Sequence, residues 1–436
     1  MTAADRAIFE QIVYSSNCRN CDMSFANIFC WQDSYRTMIA HLQGWLLVRF
    51  VTNNGQVAYM QPIGTGDIRV AVEALAADAA SLGVPLRLYG LCEHWCSQLE
   101  SLYPGRVATY ASPANFDYIY LAEDLATLAG RKYQPKRNHI NRFLSRYSYR
   151  FEPLSASNIE DCIYLNSVWC SQKGTDSSAA EQRALQRAFD NFGVIPFKGW
   201  ILYANGNPCA FAIGSQINHD TFCIHIEKAD VTYEGAGAMI NNLVAIELSY
   251  QYKYINREDD LGIEGLRRAK QSYYPVELLA KHSALLLDEH QTQLRELWID
   301  CFGDSLQIID HFMVSHYDPA LCYTHIEAGR VVGMLHIVPM VISERRCAYI
   351  YAVATDSRFR GRGIATALMT AALRDIDRGE YDYAALIPAD SHTAKFYERF
   401  GFESTGELFD FADFDPEYDF GTGDSSLNFA MIRKKC

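Results

Sequence analysis

The chain has 436 residues, 49% hydrophobic and 13% aromatic, enough for two or three ordinary globular domains. Its net charge of −13 argues against a general nucleic-acid binder while leaving room for a local basic patch. No apolar run reaches the length of a bilayer span, and the opening MTAADRAIFEQ lacks the charged start and apolar core of a signal peptide, so a cytoplasmic protein is expected.

Near the start, Cys18 and Cys21 have metal or redox spacing, and Cys92 and Cys96 flank His94. Neither pair sits in a zinc knuckle, so the thirteen cysteines read as reduced thiols used as small hydrophobes, and no metal is expected. Ser24 precedes an apolar stretch and can cap a helix there. Residues 44–63 read as a strand, an Asn-Asn-Gly turn and a second strand. Helical spacing covers residues 68–82, and residues 86–89 read as a strand. The run RKYQPKRNHINRFLSRYSYR opens at Arg131, closes at Arg150 and holds no acid. It is either a solvated face or a patch for a polyanion.

Residues 199–214 repeat the strand–turn–strand theme around Asn205-Gly206-Asn207-Pro208, and residues 222–226 add a strand. In INREDDLGIEGLRRAKQSYYP, residues 255–275, Arg257, Glu258, Asp259, Asp260, Glu264, Arg267, Arg268 and Lys270 crowd together. They either line a cleft for a charged amino acid or adenosine end, or pair along a helix, as Glu264 would with Arg267 and Arg268. Arg257 and Glu258 directly follow a strand, where α/β folds often place ligand crevices, and are candidate substrate residues.

Helices are predicted over residues 291–302 and 306–316, then strands over 320–326 and 331–338. In YIYAVATDSRFRGRGIATAL, residues 349–368, a strand breaks at Thr355, Asp356 and Ser357, and a helix starts at Ile364. A Gly-rich turn before a helix offers backbone N–H groups and the positive end of the helix dipole to an anion. Gly361 and Gly363 allow close backbone approach, and Arg358, Arg360 and Arg362 add charge. The turn has neither the ending of a nucleotide P-loop nor dinucleotide spacing. A strand at residues 384–387 and a helix at 393–400 follow, then an acid- and aromatic-rich stretch at 407–424.

Arg358, Gly361 and Gly363 resemble the R/Q-x-x-G-x-G/A signature of the Gcn5-related N-acetyltransferases (GNAT), and AKFYERFGF at residues 394–402 resembles that family's second signature. The resemblance covers residues 290–436 and implies acetyl-coenzyme A as co-substrate. Its pyrophosphate would lie on Arg358, Arg360, Gly361, Arg362, Gly363, Ile364 and Ala365. The strand end near Val353 would offer N–H groups to the oxyanion, and Tyr397 would protonate the leaving thiolate. Glu327 and His336 are base candidates by their order alone, and a water would also serve.

An internal duplication is also legible. Asp230, Tyr233, Gly235 and Gly237 fall on Asp356, Phe359, Gly361 and Gly363 at one constant spacing, and Ala269-Lys270 aligns closely with Ala394-Lys395. Thr232, Glu234 and Ala236 then replace the three arginines. An acid repels phosphate, so this copy is expected to have lost coenzyme A. The hairpin at residues 44–63 is a candidate for the same element in a still more eroded copy.

YQPKRNHINRF, the 255–275 segment and SFANIFCW also look like the family related to the catalytic domain of phosphatidylglycerol lysyltransferase (DUF2156), across most of residues 1–285. That resemblance implies tandem acetyltransferase-like folds and aminoacyl transfer from tRNA, which residues 131–150 would meet. The lack of a membrane span puts a lipid acceptor in doubt. The expected fold is thus α/β (α+β): tandem GNAT-like units with mixed, mostly antiparallel sheets flanked by helices. Residues 1–285 would hold two eroded units, about 1–130 and 131–285, ahead of a GNAT domain at 286–436. The expected function is acetyl transfer from acetyl-coenzyme A to a small cationic amine held by Asp413 and Asp415 through ion pairing, with cation–π help from the aromatic rings. The alternatives are aminoacyl-tRNA-dependent transfer by the N-terminal region, or an N-terminal region that only binds.

Overall fold

The computed structural model describes all residues except 17, 174–178, 343, 406–414, 416, 419–429 and 435–436. It divides into two compact units, residues 1–97 with 111–283, and residues 98–110 with 284–436. Among the described residues no helix is long and apolar enough to cross a membrane.

The first unit opens with the helix Arg6–Ser15, followed by the helix Phe25–Tyr35, whose N-cap Ser24 accepts from Asn27 N–H as expected. The strands Met38–Leu42, Trp45–Val51, Val57–Met60 and Arg87–Leu91 pair in that order. Only the last of these pairings is parallel. A second, seven-stranded sheet follows the order Glu277–Leu279, Asp117–Leu121, Tyr254–Asn256, Thr221–Ala229, Asn207–Gln216, Phe197–Ala204 and Tyr149–Pro153. Its tightest hairpin turns on Asn205 and Gly206, both at positive φ, which two-residue hairpins require. Its one parallel pair joins Thr221–Ala229 to Tyr254–Asn256. The helix Ala236–Ser249 connects these two strands, burying Met239, Ile240, Val244 and Leu248 against the sheet. Asp117–Leu121, which precedes residue 130, belongs to this sheet, and residues 1–97 and 111–283 form one compact unit.

The second unit repeats the plan. Its six-stranded sheet runs Cys322–Glu327, Arg330–Ile342, Arg345–Thr355, Tyr383–Leu386, Met431–Lys434 and Glu403–Ser404. Again one pair is parallel, Arg345–Thr355 with Tyr383–Leu386, joined through the helix Ile364–Arg378. Of the positions that recur at helical spacing, Ile364, Ala365, Leu368, Met369, Ala372 and Leu373, all but the half-buried Ala365 are buried against Val332, Leu335 and Ile350. This is the expected α/β fold: mixed sheets flanked by helices, with a strand–loop–helix–strand–helix series in each unit.

Candidate active sites

In the second unit, three pairs of the parallel ladder, Cys347 with Tyr383 through Tyr349 with Ala385, are made before it stops. The longer strand continues to Thr355, while its partner ends at Leu386 before Pro388, so the two ends part. Within the freed stretch the pairing with Arg330–Ile342 slips between Met334 and His336, and Ala352 has φ 49°. A bulge of this kind re-aims backbone groups, and Val353 lies within it.

The loop then turns at Asp356, whose carboxylate accepts from Arg358 N–H at 2.9 Å and from the Arg358 guanidinium at 2.6 and 3.1 Å. The Arg358 pairing holds the Asp356 carboxyl at about 2. Arg358 therefore braces the turn. Arg360 reaches the Thr355 carbonyl, and Arg362 lies over Phe359 beside Glu327. Gly361 and Gly363 have φ 79° and 80°, and a Cβ on either would meet nothing within 4 Å. Gly363 caps the helix Ile364–Arg378, whose first N–H groups, on Ile364, Ala365 and Thr366, have no acceptor within the helix. The backbone of this loop is thus open to close approach beside a helix N-terminus.

Tyr397, on the helix Ser391–Glu398, packs beside Phe402 in the core under this loop. Burial pushes its hydroxyl well above the ordinary tyrosine range, so it stays protonated at neutral pH. Of the base candidates, Glu327 pairs with Arg362 and His325. His336 is fully buried, its Nε2 has no partner, and burial lowers it to about 3.

The acidic stretch is covered only in part, and Asp413 lies outside the described residues. Asp415 is not the open carboxylate expected. Its Oδ2 lies 2.8 Å from His316 Nε2 and 3.3 Å from His311 Nε2, and Glu417 accepts from the Tyr110 hydroxyl.

The corresponding loop of the first unit is built differently. Asp230 accepts from Thr232 N–H just as Asp356 does from Arg358. The helix after it starts at Ala236, however, with Gly235 (φ 88°) as N-cap. Gly235 is therefore the backbone counterpart of Gly363, and Gly237 lies inside the helix. The constant spacing breaks after Tyr233 because this loop is two residues shorter. The helix Gln134–Arg146 sits on it: a Cβ on Gly235 would lie 2.2 Å from the His139 carbonyl oxygen. Arg142 and Arg146 both bind Glu234 and hold its carboxyl below the usual range. A carboxylate of the chain itself takes the anion's place, so part of the basic run is already neutralised. Lys136 is also engaged, 2.6 Å from Ser272 Oγ and 3.7 Å from the Tyr273 ring centroid.

Elsewhere in the first unit, a cleft of about 460 Å³ is lined by Asp22, Trp31, Tyr35, Tyr89, Glu258 and Asp259, with Lys281 at its base. Lys281 Nζ lies 2.8 Å from Asp117, 3.2 Å from Asp22 and 3.3 Å from Asp259. Asp117 is fully buried and also accepts from Cys21 N–H and Asn256 Nδ2, each at 2.8 Å. Burial pushes Asp117 up, but Lys281 and these donors outweigh it and hold the carboxyl below its ordinary range. Asp259 is raised to about 6, by burial first and then by Asp22, Asp117 and Glu258 against Lys281.

Glu258 faces the cleft, as anticipated, in a left-handed backbone conformation with φ 57°. Arg257 does not line it; its guanidinium pairs with Glu227 at 2.9 Å and lies over Tyr273. Glu264 pairs with Arg268, whereas Arg267 binds Asp260. Sequence reasoning missed Asp22, Asp117 and Lys281. The signal was an acid opening the apolar run DYIYL and a lone cation inside LLAKHSALLL. Cys18, Cys21, Cys92 and Cys96 form no disulfide.

A family model described as phosphatidylglycerol lysyltransferase, C-terminal, matches residues 15–285. The chain belongs to this family. An acetyltransferase (GNAT) domain model matches residues 285–405, so this lysyltransferase-family chain carries a GNAT domain behind its family region. Both are domains of acyltransferase type. A crystal structure of a conserved protein of unknown function from Bacteroides thetaiotaomicron is 42% identical with a TM-score of 0.64, covering 66% of this chain and 98% of that one. The C-terminal domain (DUF2156) of a putative lysylphosphatidylglycerol synthetase from Agrobacterium fabrum shares the fold at 12% identity and a TM-score of 0.50, over 67% of this chain and 95% of that one. An uncharacterized protein of Mycoplasmoides gallisepticum is 26% identical over 176 residues, 38% of this chain and about half (54%) of that relative's length.

Proposed function

We propose that the second unit transfers an acetyl group from acetyl-coenzyme A to the nitrogen of a small amine. The observation that carries this reading is the open helix N-terminus at Gly361, Gly363, Ile364 and Ala365, beside Arg360 and Arg362. It suits a pyrophosphate through backbone N–H groups and the helix dipole. The thioester would then reach the parted strand ends, where N–H groups of the bulge around Val353 stabilise the oxyanion. The amine nitrogen attacks the carbonyl carbon, the carbon–sulfur bond breaks, and Tyr397 protonates the departing sulfur. His336, fully buried and lowered to about 3, is too weak a base to take the amine proton, and Glu327 is engaged by Arg362 and His325, so that proton is assigned to water. Asp415 and Glu417 are both engaged, which leaves the preference for a cationic acceptor resting on residues outside those described.

Tyr397→Phe tests the chemistry. Where bond breaking limits the rate, kcat should fall by about 100-fold, while coenzyme A affinity measured by calorimetry stays the same. An unchanged kcat removes Tyr397 from the mechanism.

A second reading has its own support in the first unit. Its cleft sets the carboxylates of Asp22, Glu258 and Asp259 among the rings of Trp31, Tyr35 and Tyr89, a setting that suits the ammonium group of an aminoacyl donor. Family membership over residues 15–285 favours aminoacyl-tRNA as that donor. Arg142 and Arg146 are committed to Glu234 and Lys132 lies beside Asp124 and over Tyr133 and Tyr274, so tRNA would have to rely on other basic groups of the 131–150 run, such as Arg131. Product formation with acetyl-coenzyme A alone, or with aminoacyl-tRNA alone, separates the two readings.

A further inference from the structure

Behind the cleft, Cys223 and His225 lie on the strand Thr221–Ala229, whose pairing with Asn207–Gln216 slips at His225, and this bulge sets the ring beside Cys223 and Glu258. The parallel neighbour, Tyr254–Asn256, delivers Glu258 there through the turn that follows it. His225 Nδ1 is 2.8 Å from Glu258 Oε1, Cys223 Sγ is 3.8 Å from the same oxygen, and the three donor atoms lie within 4.8 Å of one another. Around a single ion with bonds of about 2.0–2.3 Å, sulfur–oxygen and nitrogen–oxygen edges are roughly 3.6 and 3.0–3.3 Å. The sulfur–oxygen distance sits close to its edge, whereas the nitrogen–oxygen pair is at hydrogen-bond distance and must open by a few tenths of an ångström to admit the ion.

Two further observations point to a cation. His225 Nε2 lies 2.7 Å from Ser215 Oγ, which in turn lies 3.0 Å from Ser24 Oγ. Ser215 and Ser24 are each 1% exposed. A ligating histidine needs such a partner on its far nitrogen to fix ring and tautomer. The local charge is also unbalanced: among the described residues Asp22, Asp117, Glu258 and Asp259 face Lys281, Lys270 and the His225 ring, so the carboxylates outnumber the cationic groups. Arg257 does not correct this, because Glu227 neutralises it.

We propose that Cys223 Sγ, His225 Nδ1 and Glu258 bind a divalent zinc-type ion behind the cleft that Glu258 lines. The mixed sulfur, nitrogen and oxygen set suits zinc and disfavours magnesium or calcium. Binding displaces the thiol proton of Cys223 to solvent as the sulfur–metal bond forms. Three protein ligands leave one position open, and Glu258 lines the cleft, so an ion there can polarise a carbonyl held in it. This site is independent of the coenzyme A reading, which concerns the other unit.

The test is a Co²⁺ titration of the metal-stripped full-length chain, followed by the thiolate-to-cobalt charge-transfer band and by competition with Zn²⁺. One equivalent should bind with that band, and Zn²⁺ should bleach it. Cys223→Ser should abolish the band. Ser215→Ala should keep it but weaken affinity by about 10- to 100-fold. Glu258→Gln, at the cleft surface, should also weaken binding, with circular dichroism reporting a folded chain. The three-residue group of the second unit, His311, His316 and Asp415, is the alternative site, and His316→Ala should leave the band untouched. No bound metal, a spectrum without the thiolate band, or loss of binding in His316→Ala with retention in Cys223→Ser would each overturn the proposal.

Discussion

Gly361→Glu should reduce coenzyme A affinity by about 100-fold or more while leaving the chain folded. A carboxylate beside a pyrophosphate puts like charges together, which costs several kcal/mol. The fold should tolerate the change, because no heavy atom lies within 4 Å of the new Cβ. Holding φ at 79° without glycine adds only about 1–2 kcal/mol of strain. Gly235→Glu is a poor mirror control, since its Cβ would strike the His139 carbonyl at 2.2 Å and destabilise the first unit. Glu234→Ala is the better control: it empties the anion position of the closed loop and should leave calorimetric affinity unchanged. Normal binding by Gly361→Glu would place coenzyme A elsewhere.

Lys281→Met should cost the first unit about 3–5 kcal/mol at neutral pH, the usual penalty for stripping one partner from a buried ion pair. Asp117, fully buried, would lose its counter-ion, and Asp22 and Asp259 would repel it across the vacated space. The pH dependence has a definite sign. In the native chain Asp117 is depressed, so its contribution is present above the unfolded carboxyl value and lost as pH falls through the folded one. Lys281 is raised, so its contribution is complete below the ordinary lysine value and lost only as pH rises beyond it. In the variant burial and the neighbouring carboxylates act on Asp117 against only the Cys21 N–H and Asn256 donors, so its carboxyl should rise and the stability gap should narrow as pH falls below about 4. Urea unfolding at neutral and acid pH measures this. Equal stability at neutral pH, or a gap that widens in acid, would show that the ion cluster does not anchor the unit.

The parts that were legible in the sequence are local ones. The helix face from Ile364 to Leu373, the Asn205-Gly206 hairpin and the Ser24 cap each depend on residues within a few positions, and each is where the pattern put it. The shared strand–loop–helix plan of the two units was legible too, but the residue-by-residue alignment failed after Tyr233. A two-residue deletion moves the helix start without disturbing the glycines that seem to match, and only the backbone angles reveal that Gly235 caps the helix.

The closure of the first loop could not be read, because Arg142 and Arg146 are about ninety residues from Glu234. The same holds for Lys281, whose partners Asp22, Asp117 and Asp259 come from three distant segments. Asp415 illustrates the opposite error. An acid in an acidic stretch reads as open to substrate, yet two histidines of the helix Leu306–Ser315 and its C-cap take its oxygen.

The most direct test of the central claim is a crystal structure of the chain with acetyl-coenzyme A. The pyrophosphate should lie on the N–H groups from Gly361 to Ala365, with the thioester between the parted strand ends and its sulfur toward Tyr397. Density for the cofactor at Thr232–Met239 or in the Lys281 cleft, or none at saturating concentration, would contradict the assignment.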